Sequence, residues 1–568
     1  DSGVTGYKSC YVLEEGLYKI YIGSDVRNAE ESGQYDEKFT IVESLEEACA
    51  PIVEFKRIKP ILDENNKFNI ENEEVPMRRI NPKERMFKNR DEEIIYTGDR
   101  GYKLADVFEN KVKLDDFVAQ LSYNDLICMF RGEGMCSPKV TPGTAAAFGG
   151  ITESLRNFGI PVACCADGPS GIRMDCGTNA FSLPNGTALG CTFNVDLVKK
   201  LYKMTGIELC RNKIDSLLGP GMNIHRNPLN GRNFEYVSED PILTGKIGAA
   251  QVIGIQEAGS TATIKHVCAN NQEASRRFVD SIVSERALRE IYLKGFEIAV
   301  KEGKARSVMT TYNPVNGIWT AGSYDLCTTI LRKEWGFDGI VMTDWWAEAN
   351  TEGEKSTREN KAPMVLAQND LYMCVSNSLE NPENDNVKER FEAGEVTRSD
   401  LQRNAKNILK FIMKSQAMLH ELNLISKEDL EEINGQDDDG NISLEDIVYY
   451  YADKDSNDII IDASNFNNKK GDSEVFGISL NELGLYNIEI TMKSEQGSLS
   501  QLPLSIYYDN ALKSTITIRG TEGEWVTESR ELGFIFGVNH YIKLYFGASG
   551  LDIDKVVIKF MGKGKLPF

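Results

Sequence analysis

Short apolar runs that end on polar residues recur through the middle of the chain. Residues 339–342 are apolar, and they are followed by Thr343 and Asp344 and then by Trp345 and Trp346. This pattern indicates a buried parallel strand that delivers a carboxylate to the mouth of a pocket with flat aromatic walls. Taken alone, it equally fits a core strand followed by an aspartate that caps a helix. The repetition of the pattern favours the pocket.

Five further segments repeat the pattern and are separated by amphipathic helical patterns such as residues 285–300. They are residues 161–166 before Asp167, 216–224 before His225 and Arg226, 262–264 before Lys265 and His266, 307–311 with Tyr312 and Asn313, and 365–367 before Asn369 and Asp370. Strand-then-helix units repeated over about 300 residues predict a (β/α)8 TIM-like barrel, so the fold class is α/β plus β. In a barrel the C-terminal strand ends share one face, which predicts that these polar residues meet.

The segments that flank the barrel have a β texture. Residues 17–22, with turn signals on both sides, and residues 38–42 are two extended runs, and two strands do not form a stable sheet alone. The first segment therefore resembles the tail of a β-sandwich. Several alternating runs after residue 457 predict a C-terminal β-sandwich like that of a carbohydrate-binding module. The predicted units are residues 1–58 (sandwich remnant), 59–110 (linker or arm), 111–425 (catalytic barrel), 426–456 (acidic linker) and 457–568 (sandwich).

Two features of the C-terminal third have competing interpretations. Residues 437–440 resemble part of a calcium loop, but Gly435 would occupy the first ligand position and has no side chain to bind a cation. A solvated acidic linker is the preferred interpretation. Trp525, Tyr507 and Tyr508 fit a sugar-stacking surface, although aromatic residues in a sandwich more commonly belong to its core.

Composition excludes several classes of function. The 568-residue chain has a net charge of −22, which argues against a nucleic-acid partner. No apolar run is long enough to span a membrane. The four histidines and twelve cysteines lack metal-ligand spacing, and there is no cofactor fingerprint, so we expect no metal and no cofactor. The cysteine pattern favours a reducing, cytoplasmic location, with secretion left open because the sequence starts at Asp1 rather than at a translation start.

The candidate pocket combines carboxylates, cations and aromatic rings. Its predicted residues are Asp167, Arg232, Lys265, His266, Tyr312, Asp344 and Trp345. Many hydrogen-bonding groups beside an indole wall fit a polyhydroxylated ligand such as a carbohydrate. A carboxylate among cations stays ionised, which suits a nucleophile. Retaining glycoside hydrolysis needs such a carboxylate and a second carboxyl group about 5 Å away.

Five motifs, in order over about residues 114–420, resemble glycoside hydrolase family 3. They are ADGPSGIR at 166–173, NPLNGRNFE at 227–235, KH at 265–266 followed by NNQE at 270–273, MTTYN at 309–313 and WGFDGIVMTDW at 335–345. Taken together, the five motifs are very specific to this family. The resemblance implies that Asp344 is the nucleophile of a retaining glycosidase and that Asp167 accepts hydrogen bonds from distal sugar hydroxyls.

The resemblance also gives roles to the other pocket residues. Arg232, Lys265 and His266 would hold ring hydroxyls, Tyr312 would lie beside the nucleophile, and Trp345 would line the pocket. Structural alternatives remain open: Arg232 could pair with Glu235 or Glu239, and His266 could be a satisfied core histidine.

Departures from the family pattern narrow the expected activity. The N-acetylglucosaminidase branch carries a Gly-His-Gly segment after its Lys-His pair, whereas this chain has VCANN at 267–271. A β-glucosidase releasing terminal β-D-glucose is therefore the expected activity. The alternatives are β-xylosidase specificity and a non-catalytic carbohydrate-binding scaffold.

The position of the acid/base is the second departure. Family β-glucosidases take it from an (α/β) sandwich domain, which this chain lacks after the barrel. Residues 1–58 resemble the end of the family's fibronectin type III-like domain, as in the branch with reversed domain order. We therefore expect an upstream (α/β) sandwich segment to carry the acid/base. Glu273 is a tempting substitute, but we expect it to orient Lys265 instead.

Overall fold

The computed structural model describes residues 9–65, 67–135, 137–175, 180–425, 447–497, 499–509 and 511–564. The calcium-loop-like residues 437–440 and most of the predicted acidic linker lie outside these ranges. In the described part of the chain, no helix combines the length and the apolarity that crossing a bilayer requires.

The described strands fall into an N-terminal, a central and a C-terminal set. They are β1 (Cys10–Leu13), β2 (Gly16–Ile22), β3 (Glu30–Glu37), β4 (Thr40–Ser44), β5 (Lys56–Leu62), β6 (Phe68–Glu74), β7 (Arg131–Gly134), β8 (Ala146–Gly149), β9 (Val162–Asp167), β10 (Ser216–Leu218), β11 (Thr261–Val267), β12 (Ser307–Thr310), β13 (Pro314–Val315), β14 (Ile318–Trp319), β15 (Ile340–Met342), β16 (Tyr372–Val375), β17 (Tyr449–Tyr451), β18 (Ile459–Asp462), β19 (Ser473–Ser479), β20 (Gly484–Lys493), β21 (Gln501–Tyr508), β22 (Ala511–Arg519), β23 (Val526–Ile535), β24 (Asn539–Phe546) and β25 (Asp552–Gly562).

The helices lie between residues 82 and 421 of the described chain. They are α1 (Pro82–Lys88), α2 (Leu104–Phe108), α3 (Leu114–Ala119), α4 (Tyr123–Phe130), α5 (Glu153–Asn157), α6 (Gly186–Gly190), α7 (Val195–Arg211), α8 (Pro241–Glu257), α9 (Glu285–Ala287), α10 (Lys294–Lys301), α11 (Ala362–Ala367), α12 (Val387–Glu392), α13 (Arg398–Ile412) and α14 (Gln416–Glu421), with π-helical turns at Leu288–Tyr292 and Asp325–Glu334 and a 3-10 turn at Thr320–Gly322.

Eight described strands form a nearly closed barrel. Hydrogen-bonded neighbours follow the order β15, β12, β11, β10, β9, β8, β7 and β16, and a parallel bridge between Met342 and Leu371 connects the two end strands. Every residue of β11, β12 and β15 is buried, because helices cover the outside of the sheet. Burying one such aliphatic side chain contributes about 1.5–3 kcal/mol relative to exposure.

One barrel strand departs from the predicted all-parallel pattern. β8 pairs antiparallel with both β7 and β9, while the other neighbouring pairs in this sheet are parallel. The described residues between Gly134 and Ala146 contain no helix, and a parallel connection needs a longer crossover, usually through a helix. The (β/α)8 expectation is therefore corrected to a barrel with one reversed strand.

A second correction concerns the last barrel strand. The apolar run at 365–367 was expected as a strand, but it lies in helix α11, and the strand is β16, which starts at Tyr372. A run of three apolar residues fits a buried helix as well as a strand, because periodicity cannot separate them at that length. The predicted start of helix α4 is confirmed. The helix begins after Ser122, whose side-chain oxygen accepts a hydrogen bond from the Asp125 amide in a capping box.

The N-terminal segment consists of two-stranded ladders. β1 pairs with β4, β2 with β3 and β5 with β6, all antiparallel. The predicted linker or arm at 59–110 thus contains most of a β-hairpin and two short helices, α1 and α2. Alternation in a polar segment was too weak to reveal β6, whose residues are almost all exposed.

The C-terminal strands form two sheets that share one core. One sheet has the order β17, β19, β24, β21, β22, and the other has β18, β25, β20, β23. Alternate residues of β20 are buried, including Tyr486, Ile488 and Ile490, as expected for a sheet with one covered face. Within the described residues, β22 and β23 are edge strands of the two sheets.

Candidate active site

The barrel brings the predicted residues to one cavity at the C-terminal ends of its strands. Asp167 ends β9, Lys265 and His266 lie near the end of β11, and Tyr312 and Asp344 follow β12 and β15. These five residues, with Arg232 and Trp345, line one cavity of about 280 Å³. Parallel strands place their carboxyl ends on one face, which explains why residues as distant in sequence as Asp167 and Trp345 meet.

Asp344 lies at the base of this cavity and is only 9% exposed. Its Oδ1 accepts a hydrogen bond from the Trp345 amide at 2.8 Å, and its carboxylate accepts another from the Tyr312 hydroxyl. Burial raises the pKa of Asp344, while these two hydrogen bonds and the nearby cations Arg232 and Lys265 act to lower it. The cations and donors thus oppose the protonation that burial alone would favour.

Asp167 and Lys265 form an ion pair across the cavity. The Lys265 Nζ lies 3.0 Å from Asp167 Oδ1 and 3.7 Å from Glu235 Oε1, and Arg173 Nη1 lies 3.7 Å from Asp167 Oδ2. Burial acts to raise the pKa of Asp167, but Lys265, the Gly168 amide and Arg173 outweigh it, so this pKa lies below its ordinary value. Asp167 is therefore held as an ionised hydrogen-bond acceptor.

Arg232 satisfies both interpretations that the sequence left open. Its Nε and Nη2 donate to the two oxygens of Glu235, each at 2.9 Å, and it also lines the cavity. Arg232 Nη2 lies 3.1 Å from His266 Nε2. A bidentate pair fixes the plane of the guanidinium, which leaves its position beside the cavity well defined.

His266 is a buried and uncharged member of the site. Burial lowers its pKa well below the ordinary value, and the charges of Arg232, Lys265 and Arg276 act in the same direction. Its Nε2 lies 3.7 Å from Asp344 Oδ2, while Nδ1 lies 3.4 Å from Asn223 Oδ1. Arginine can only donate, so the Nε2 atom of His266 accepts the hydrogen bond from Arg232. The proton of the neutral His266 ring is therefore on Nδ1.

The expectation that Glu273 orients Lys265 is wrong. Glu273 Oε2 accepts from Arg276 Nη1 at 2.7 Å, and Glu273 Oε1 accepts from Asn270 at 3.0 Å. Lys265 instead pairs with Asp167 and has Glu235 as its second carboxylate. The loop after β11 directs Glu273 towards the neighbouring arginine, which a sequence spacing of eight residues does not reveal.

Sequence reasoning missed part of the cavity lining. Met135, Arg173, Asp175 and Arg276 also face the cavity. Arg276 lies 5.0 Å from the centroid of the Tyr312 ring, within the range of a cation–π interaction. Arg173 ends the ADGPSGIR motif and was available as a signal, whereas Met135 follows β7 in a segment without a distinctive pattern.

Comparisons with known proteins agree with this geometry. The profile for the glycosyl hydrolase family 3 N terminal domain matches residues 140–411. A beta-glucosidase from Ruminococcus albus is 48% identical over 560 residues, which cover 98% of this chain and 58% of that protein. This chain belongs to glycoside hydrolase family 3.

Two further proteins are similar to this chain. Beta-glucosidase A from Butyrivibrio fibrisolvens is 37% identical over 392 residues, or 64% of this chain and 44% of that protein. The solved structure of a beta-glucosidase from Paenibacillus barengoltzii is 45% identical, with a TM-score of 0.74, over 98% of this chain and 60% of that one. The chain therefore spans less than two thirds of the length of these relatives.

Proposed function

We propose that the barrel cavity is the active site of a retaining β-glucosidase that releases terminal non-reducing β-D-glucose from oligosaccharides or glycosides. The observation that carries the proposal is the buried Asp344 carboxylate, which lies among Arg232, Lys265 and Tyr312 at the base of a sugar-sized cavity. Family membership and the beta-glucosidase names of the relatives support the same activity.

In the proposed reaction, an oxygen of the Asp344 carboxylate attacks the anomeric carbon of glucose. The glycosidic carbon–oxygen bond breaks, its electron pair leaves with the aglycone, and an ester links glucose to Asp344. Water then attacks the same carbon, loses a proton to a base and regenerates the carboxylate. Tyr312 holds the attacking oxygen in place through its hydrogen bond.

The proposed role of each residue around the sugar depends on the charge of its side chain. The ionised Asp167 accepts hydrogen bonds from hydroxyls far from the anomeric carbon, and Lys265 and Arg232 donate to hydroxyl oxygens. His266 is uncharged and contributes a ring nitrogen at the same edge. Trp345 provides an apolar wall for one face of the ring.

We infer that the acid/base comes from outside the lining of this cavity, on an (α/β) sandwich segment. In the described chain, the other carboxylates that line the cavity are Asp167 and Asp175. Asp167 has a lowered pKa, and Asp175 Oδ1 pairs with Arg173 Nε at 3.0 Å. A general acid must hold a proton at working pH, which the lowered pKa of Asp167 opposes, and Asp175 is held in its ion pair with Arg173.

We also propose domain assignments for the flanking strands. The two C-terminal sheets with a common core support a β-sandwich like that of a carbohydrate-binding module over the predicted range 457–568, to which β17 adds a strand from before residue 457. The N-terminal ladders within residues 1–58 support part of a fibronectin type III-like sandwich.

Trapping of the glycosyl-enzyme tests the proposed reaction. The chain is incubated with 2,4-dinitrophenyl 2-deoxy-2-fluoro-β-D-glucoside, whose leaving group departs without an acid, and intact mass and peptide mapping follow. We expect one fluoroglucosyl adduct on Asp344 and none in Asp344→Asn, because an amide is not a nucleophile of this kind. Asp338→Asn is the matched control, since Asp338 precedes the same strand and its side chain is 69% exposed.

Adduct formation in Asp344→Asn, or an adduct on another residue of the wild-type chain, would remove Asp344 from the proposed role. Wild-type turnover of the corresponding xylosyl donor at a rate equal to or above that of the glucosyl donor would contradict the assigned sugar.

A further inference from the structure

A second cavity, of about 350 Å³, lies between the barrel and the C-terminal sheets. Met135 and Trp346 belong to its barrel wall. Thr517 and Arg519 of edge strand β22 and Arg530 of edge strand β23 belong to its opposite wall. The C-terminal strands thus contribute side chains close to the barrel mouth.

The two cavities are neighbours. Met135 lines both of them, and the consecutive residues Trp345 and Trp346 line the first and the second, respectively. Asp175 lines the first cavity, and its carbonyl oxygen lies so close to Gly547 that a Cβ atom on that glycine would be 3.2 Å away. The second cavity is therefore the adjacent space for the part of a substrate that the first cavity does not hold.

The wall of the second cavity is polar. Thr517, Arg519 and Arg530 contribute a hydroxyl and two guanidinium groups from the C-terminal strands, and Trp346 contributes an indole from the barrel. Such groups suit a ligand that supplies oxygen acceptors.

The charge of the second cavity contrasts with that of the whole chain. Among its lining residues, Lys139 pairs with Glu133 at 2.6 Å, and Arg530 pairs with Glu528 at 2.9 Å. No carboxylate of the described residues lies within ion-pair distance of Arg519. Arg519 is near enough to Cys374 to act against the burial that raises the pKa of that thiol to about 12. An uncompensated guanidinium on a chain of net charge −22 favours an anion.

We propose that this second cavity binds the leaving group of the substrate and favours one that carries a carboxylate, with Arg519 as the residue that recognises it. The proposal rests on the proposed glucosidase function. Arg519 is a specificity-determining residue contributed by the C-terminal sheets. The carboxylate belongs either to an aromatic acid or to a uronic acid.

Matched donors test the proposal. We compare kcat/KM for 3-carboxy-4-nitrophenyl β-D-glucoside and 4-nitrophenyl β-D-glucoside, and the ratio of the two values is the readout. Loss of a hydrogen bond to a charged group predicts that Arg519→Ala lowers this ratio about tenfold. Arg519→Lys restores part of the ratio, because it keeps the charge and loses the bidentate geometry. Lys513→Ala is the matched control, since Lys513 is an exposed cation of the same strand.

An unchanged ratio in Arg519→Ala would overturn the proposal, as would an equal decrease in Lys513→Ala. Calorimetry with 4-nitrobenzoate and D-glucuronate distinguishes the two carboxylate sources, with 4-nitrobenzamide and D-glucose as uncharged partners. We expect Arg519→Ala to weaken binding of at least one acid about tenfold, and equal affinity of the wild type for acids and uncharged partners would contradict the assignment. If the wild type forms no fluoroglucosyl adduct on Asp344 in the trapping experiment, the proposed function fails, while calorimetry still decides whether the cavity recognises carboxylates.

Discussion

Replacing Tyr312 with phenylalanine isolates one interaction of the proposed nucleophile. The change removes the hydroxyl that donates to Asp344 and keeps the ring, which lies 5.0 Å from the Arg276 guanidinium and 4.4 Å from that of Arg277. The Trp345 amide still donates to Asp344 at 2.8 Å. The variant therefore changes one contact of the carboxylate in an otherwise similar cavity.

The size of the effect follows from the strength of that contact. A hydrogen bond to a charged group contributes about 1.5–3 kcal/mol, and about 1.4 kcal/mol corresponds to one pKa unit. Loss of the bond makes the carboxylate form less favourable, so the pKa of Asp344, already raised by burial, rises by about one further unit. Because the Trp345 amide still donates to Asp344, we expect the lost stabilisation of the carboxylate to lie near the lower end of the range of hydrogen-bond energies.

The assay is the pH profile of kcat/KM with 2,4-dinitrophenyl β-D-glucoside, whose leaving group needs no protonation. The nucleophile acts only when ionised, so activity is present above the pKa of Asp344 and is lost as the pH falls through it. A higher pKa therefore moves the acidic limb to higher pH. Tyr486→Phe is the matched control, because its hydroxyl donates to the Glu482 carbonyl oxygen in the C-terminal sheets.

An acidic limb in Tyr312→Phe that coincides with the wild-type limb would refute the reasoning, as would a limb at lower pH. Either result would mean that the hydroxyl does not stabilise the ionised form of Asp344. A shift of the same size in Tyr486→Phe would point to a general change of the chain instead.

Two further predictions concern stability. Gly339→Ala should destabilise the chain by about 1–3 kcal/mol, because its Cβ would lie 2.0 Å from the Arg306 carbonyl oxygen, whereas Gly16→Ala meets no atom within 4 Å; equal urea midpoints for the two variants would contradict this. The Lys361 ammonium is fully buried, 3.7 Å from the centroid of the Tyr372 ring, and burial lowers its pKa to about 8. In the unfolded chain the pKa of this lysine returns to about 10.5, so the unfolded state binds the proton more tightly. The free energy of unfolding therefore rises as the pH increases from about 8 to about 10.5. Lys361→Met should remove that rise and increase the free energy of unfolding at pH 7 by about 1–3 kcal/mol; an unchanged pH dependence of unfolding would count against it.

The sequence predicted which side chains share a cavity better than it predicted the strands around that cavity. All of the predicted pocket residues line one cavity, because polar residues at successive parallel strand ends must share a face. The reversed strand β8 was missed because its four residues, AAFG, carry neither β-branched side chains nor a long apolar run. Helix α11 was mistaken for a strand because three apolar residues have no measurable period.

Pairings between side chains were harder to predict than membership of the cavity. Lys265 takes Asp167 and Glu235 rather than the expected Glu273, because the choice depends on the direction of loops after β10 and β11. The position of Arg519 beside the barrel could not be predicted from the sequence either, because it depends on how the C-terminal sheets pack against the barrel. Sequence patterns specify which strand end a residue occupies, whereas docking and loop direction arise from tertiary packing.

The overall charge of the chain gives a misleading picture of the candidate site in the barrel. The chain carries 86 acidic and 64 basic residues, yet the lining of the barrel cavity includes Arg173, Arg232, Lys265 and Arg276. A carboxylate as buried as Asp344 tends towards the protonated form, which cannot attack a sugar. Cations at the strand ends oppose this tendency, and each of them also pairs with a carboxylate, so opposite charges lie side by side in the site. In the neighbouring cavity a carboxylate-bearing leaving group would instead meet Arg519, which has no carboxylate of the described residues within ion-pair distance.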